Sequence, residues 1–190
     1  MERVMIRVLR APLLAFIVSI SIAVLSACSS NNAPTSSEKM TADNLKTLIE
    51  KFDEKAVASG NGVTFAINER ELFLVYDENA DRMRVITPIA QSGIASDEVL
   101  IRMMQANYDA VLDVRYAMAN DIIWAVFIHP LSSLTQKEFL SGVAQAVTAA
   151  ETFGTSYTSG AFVFGGGDSS SIHEDLLKEL EKATTSGKEI

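Results

Sequence analysis

Two short runs constrain this chain more than any other feature. Residues 72–76 (Leu-Phe-Leu-Val-Tyr) and 122–129 (Ile-Ile-Trp-Ala-Val-Phe-Ile-His) are apolar at almost every position, and turn residues bound both. They read as β-strands, in which successive side chains point to opposite faces. Leu72, Leu74 and Tyr76 then oppose Phe73 and Val75, while Ile122, Trp124, Val126 and Ile128 oppose Ile123, Ala125 and Phe127. An antiparallel sheet with one face in water alternates apolar with polar residues, and these strands do not. The second face therefore needs a cover: a helix or the C-terminal tail in cis, a second copy of the chain, or a bound peptide. The alternation predicts that Phe73, Val75, Ile123 and Phe127 share a face turned away from Leu72, Leu74, Trp124 and Val126. Those four are the candidate partner-binding residues.

The surrounding periodicities supply the other elements. Thr41 reads as an N-cap, with Met40 placed to staple onto Leu45. Leu45, Leu48, Ile49, Phe52 and Ala56 follow at helical spacing and predict a helix over 41–58, stopped by Gly60-Asn61-Gly62. Val63, Phe65 and Ile67 alternate as a strand that Asn68-Glu69-Arg70 turns into the run at 72–76. Residues 82–90 read as a third strand, weakened near Pro88. Ser96 caps a predicted helix over 96–107, with Val99, Leu100, Met103 and Met104 on one face. Residues 111–118 form a fourth strand, joined to 122–129 at Ala119-Asn120-Asp121. Thr135-Gln136-Lys137-Glu138 is a capping box that opens a helix over 135–152, its buried stripe running through Phe139, Val143, Ala146, Val147 and Ala150. The order α-β-β-β-α-β-β-α over 41–152 predicts an α+β fold, an antiparallel five-stranded sheet packed by helices. The tail, 153–190, sets Phe153, Tyr157, Phe162, Val163 and Phe164 among Gly, Ser and Thr. A second capping box at Ser171–Glu174 then opens a short helix with Leu176, Leu177 and Leu180.

The N-terminus has its own chemistry. Arg3, Arg7 and Arg10 precede a short apolar run over 11–25, the pattern of an export signal and too short for a spanning helix. The run ends in Leu25-Ser26-Ala27-Cys28, which resembles the lipobox of bacterial lipoproteins. That resemblance implies cleavage before Cys28, diacylglycerol on its thiol and an acylated (palmitate-type) amino group. It sets residues 1–27 as signal peptide. Cleavage would take the formal charge from −8 to −10, since three arginines and one glutamate leave. One acyl chain holds a protein only marginally and two or three hold it stably, so the bilayer is an expected partner through Cys28. Residues 28–40 hold no large apolar side chain before Met40 and read as a tether of roughly 20 Å end to end. Ser29, where an Asp would favour inner-membrane retention in enterobacterial lipoproteins, points to the outer membrane facing the periplasm in a Gram-negative host.

The element order over 41–152, with His129-Pro130-Leu131-Ser132-Ser133-Leu134-Thr135 and Glu138-Phe139 after the last strand, resembles the type III secretion chaperone-like superfamily, which includes the YbjN-like proteins. The resemblance implies a small, acidic, often dimeric, non-enzymatic domain that holds segments of other proteins. It differs from the cytosolic secretion chaperones in carrying an export signal.

Composition excludes other classes. A chain of 190 residues suits one domain. A net charge of −8 opposes nucleic acid as a partner. A single cysteine forms no internal disulfide, and two histidines 44 positions apart offer no metal-ligand spacing. Asp77, Asn79 and Asp81 begin like a calcium loop, but Arg82 stands where that loop needs Gly and Pro88 where it needs Glu. Gly165–Gly167 lacks the Lys-Ser/Thr of a phosphate loop. No cofactor is expected. The reading is a lipid-anchored envelope protein with a non-catalytic, chaperone- or adaptor-like domain that binds a protein or peptide. The alternatives are an enzyme using His129 with carboxylates such as Asp113 or Asp121, and a purely structural envelope protein.

Overall fold

The structure, a computed structural model, describes residues 39–154 and 170–186. Local chemistry starts each helix. The Thr41 hydroxyl accepts the Asn44 N–H and opens α1 (Ala42–Glu50), whose Leu45, Leu48 and Ile49 are buried. The helix ends eight residues short of the expected 58. Asp53 is the reason: its carboxylate accepts the Lys55 N–H at 2.9 Å and the Ala66 N–H at 2.7 Å, which binds the chain after α1 to the sheet. Phe52 continues the helical apolar spacing but buries itself in a turn, edge-on to Phe65. Val57–Ser59 then pairs as β1 with β2 (Gly62–Ile67), a strand where a helix was expected, so the sheet has six strands instead of five.

The remaining strands follow as antiparallel neighbours: β3 (Arg70–Asp77), β4 (Arg82–Gln91), β5 (Arg115–Ala119) and β6 (Ile122–His129), in the sheet order β1-β2-β3-β4-β6-β5. Two hairpins turn on paired left-handed residues, Asn68 and Glu69 at φ 50° and 64°, and Asn120 and Asp121 at φ 51° and 57°. Two such residues in succession give the turn whose twist matches the flanking strands. Pro88 sits beside a register shift between Pro88 and Ala90, where a missing N–H costs the ladder least. β5 begins at Arg115 instead of 111, because α2 runs on to Asp109 and the next turn is pinned by the Asp113 N–H donating to Gln145 Oε1.

Helix α2 (Asp97–Asp109), capped by Ser96, lies beside β5, where Asn107 accepts the Tyr116 N–H and donates to its carbonyl. Helix α3 (Gln136–Glu151) starts from Thr135 in the expected capping box, with the Glu138 carboxylate accepting the Thr135 N–H at 2.7 Å. That hydrogen bond, with a second from the Thr135 hydroxyl, holds the Glu138 carboxyl below its ordinary range. α3 crosses β4 and β6 so closely that a Cβ on Gly142 would overlap the Phe127 ring. Helix α4 (Ser170–Ser186) docks on α3 through Leu176, Leu180 and Ala183, so the short C-terminal helix packs rather than frays. The core lies between the sheet and α1, α3 and α4. Among the described residues no helix is long and apolar enough to cross a membrane.

Candidate functional site

Register decides which side chains meet on the sheet. Val63, Leu74, Val85 and Phe127 are paired across four strands, and all four are buried beneath the helices. The neighbouring row points the other way and crosses all six strands: Val57, Thr64, Phe73, Ile86, Val126 and Arg115. A parallel row sets Gly62, Val75, Arg84 and Ile128 in line. A third aligns Pro88, Trp124 and Ala117. None of these residues is buried; Val75 is 42% and Ile128 57% exposed, whereas Leu74 and Val85 are at 0%.

This outer face carries a connected apolar surface. The rings of Phe73 and Trp124 meet edge to face with centroids 6.4 Å apart, and the indole N–H donates to the Ala119 carbonyl at 3.0 Å. α1 and α3 pack on the inner side, α4 packs on α3, and α2 lies along β5. No helix among the described residues lies over the outer rows.

The four expected partner-binding residues do not share a face. Phe73 and Val75 stand on the outer one. Ile123 and Phe127, at 0% and 3% exposure, belong to the core, and Trp124, Val126 and Ile128 take their place outside. The parity of β6 against β3 is set through β4, which lies between them, so neither strand's own sequence contains it. β4 held the clue: Met83, Val85 and Thr87 are buried while Arg82 and Arg84 are exposed, so residues registered with Arg84 face outward. Cys28 and the segment Phe162–Phe164 lie outside the described residues.

A second apolar surface was not foreseen. Met104 was expected on one face with Met103, yet Met103 is 4% exposed and Met104 69%. Adjacent helical residues point about 100° apart, and on α2 that turn carries Met104 out of the stripe that buries Met103 and Ala106. Met104 lines the outside of α2 with Ile101 and Tyr108.

The groups suited to chemistry are dispersed. His129 stacks on Phe127, and its Nδ1 lies 2.8 Å from the Pro130 carbonyl oxygen. Asp113 accepts from Gln145 Nε2 at 3.2 Å, and Asp121 sits in the β5–β6 turn, so neither hydrogen-bonds His129. His173 is half-buried, which pushes its pKa down. Asp77 accepts the Ala80 N–H and Asp81 accepts from Ser132, so the calcium-like trio builds a hairpin turn and its clasp. Among the described residues no cluster of three metal-ligating side chains occurs.

No family model and no curated protein matches this chain. Among solved structures it is similar to a chain of the HopA1–SchA chaperone–effector complex, at 14% identity and a TM-score of 0.46, over 57% of this chain and 91% of that one. It is similar to a chain of the ExsC–ExsE complex, at 12% identity and a TM-score of 0.45, over 59% and 92%. A third is in the Yersinia pestis type III secretion chaperone SycH bound to a stable fragment of YscM2, at 14% identity and a TM-score of 0.44, over 56% and 97%.

Proposed function

We propose that this protein is a membrane-anchored lipoprotein whose α+β domain holds a segment of another protein, without catalysis, on the outer face of its sheet. The carrying observation is the row Phe73–Ile86–Val126 with Trp124, Val75 and Ile128 beside it, half-buried or exposed with no described helix over it, while the alternate row Val63–Leu74–Val85–Phe127 is buried. Burying one such side chain contributes about 1.5–3 kcal/mol, so occupation of this face is strongly favoured. Large connected apolar patches on a soluble domain mark interaction sites. The lipobox-like Leu25–Cys28 and the polar stretch behind it support anchoring in the cell envelope, with the outer membrane favoured in a Gram-negative host.

Site-specific photo-crosslinking in intact membranes tests the docking surface. A photoreactive residue at Val75 or Ile128 is expected to give a discrete adduct with a second protein, and one at exposed Glu54, off the face, is not. Val126→Asp should abolish the adduct without lowering the melting temperature by more than a few degrees. Equal labelling from Glu54 and Ile128, or none from either face position, rules this surface out.

A further inference from the structure

The outer face carries arginines as well as apolar side chains. Arg84 stands in register between Val75 and Ile128, and Arg115 ends the row through Ile86 and Val126. Neither has an acidic cross-strand neighbour in these pairs. The Arg115 guanidinium is held in place, with Nη1 donating to the Leu112 and Val114 carbonyls at 2.6 Å each. The two carboxylates of this face are at opposite ends of β3: Glu71 opposite Ala66, and Asp77 opposite Arg82. The ion pairs among the described residues leave Arg84 and Arg115 out. A chain of formal charge −8 has thus placed Arg84 and Arg115 within its two central apolar rows and kept Glu71 and Asp77 to the ends of β3.

Resting on the protein-binding reading above, we infer that the partner is an apolar protein segment flanked by carboxylates, which Arg84 and Arg115 select and orient. Apolar burial supplies the affinity, and the two guanidiniums reject basic segments and fix register. Sheet strands are spaced about 4.8 Å apart, so Phe73 to Arg115, three intervals, spans roughly 14 Å. A stretch of about five extended residues covers that distance.

Trp124, the only tryptophan in the chain, lies on this face and reports its occupation by fluorescence. The full-length protein in detergent is titrated with two synthetic peptides of equal length and identical apolar residues, one flanked by glutamates and the other by lysines. The acidic peptide is expected to shift the Trp124 emission saturably and to bind at least about tenfold more tightly than the basic one. Its affinity should weaken as salt rises from about 0.05 to 0.5 M. Arg84→Glu with Arg115→Glu should reverse the preference, and Arg84→Glu alone, which breaks no hydrogen bond of the described residues, should weaken it at a nearly unchanged melting temperature. Equal binding of both peptides, unaltered by the double substitution, overturns charge selection while leaving an apolar docking face. No emission change with either peptide overturns the inference, and failure of the crosslinking test would separately remove the docking surface itself.

Discussion

Asp81 is one residue with two tasks. Its backbone stands at φ 50° at the end of the β3–β4 turn, and its carboxylate accepts the Ser132 N–H at 2.7 Å and the Ser132 hydroxyl at 2.8 Å. The hairpin is thereby clasped to the loop that launches α3. The two hydrogen bonds from Ser132 lower the carboxyl pKa below its ordinary value of 3.8. A depressed folded-state pKa contributes stability that is fully present above the unfolded value and lost as pH falls through the folded one. Asp81→Asn keeps a residue tolerant of positive φ and one acceptor oxygen, removes the charge and turns the second acceptor into an amide donor that the Ser132 hydroxyl can accept from. Urea unfolding at pH 7 and at about pH 3 should show wild type losing more stability on acidification than the variant. Parallel pH profiles would show that the charge contributes nothing to the clasp.

Helices α2 and α3 show how tightly an element depends on single positions. Gly142 lets α3 approach β6 until the helix backbone touches the Phe127 ring. Gly142→Ala should therefore cost about 1–3 kcal/mol by overpacking, although alanine is the better helix former. A neutral or stabilising result in chemical denaturation would mean that α3 lies farther from the sheet. On α2, Met103→Asp places a carboxylate in the core and should lower stability by more than about 3 kcal/mol. Met104→Asp, one residue on, should stay within about 0.5 kcal/mol. Thermal melts of the pair read the orientation of the helix directly, and equal losses would contradict it. Phe127→Asp likewise unfolds the domain and says nothing about a partner, because Phe127 is 3% exposed.

At the scale of the whole molecule, the proposed anchoring and the proposed binding can be tested separately. Among the described residues the helices cover the inner face of the sheet, and the outer rows face away from them. Cys28→Ser should release the protein from membranes washed in high salt, or leave it as uncleaved precursor, because the chain has no other thiol to accept diacylglycerol. Salt-resistant membrane fractionation of processed Cys28→Ser protein would show that Leu25–Cys28 is not a lipobox. The same variant should keep its melting temperature.

What the sequence determined by itself is what short-range chemistry controls. Thr135 and Glu138 start α3 because they satisfy each other's backbone groups within one turn. Asn68 and Asn120 make hairpins because asparagine tolerates left-handed backbone at little cost. The two strands apolar on both faces were legible as strands, and they revealed that the sheet has a second apolar side to explain. Phe73 and Val75 were identified with it. Tertiary structure decided the rest. Capture of the Ala66 N–H by Asp53, thirteen residues away, ended α1 early and freed Val57–Ser59 to pair. The outer positions of β6 passed from Ile123 and Phe127 to Trp124, Val126 and Ile128. Alternation fixes only that neighbouring residues oppose each other; which set meets the helices depends on pairing with β4, some forty residues earlier in the chain.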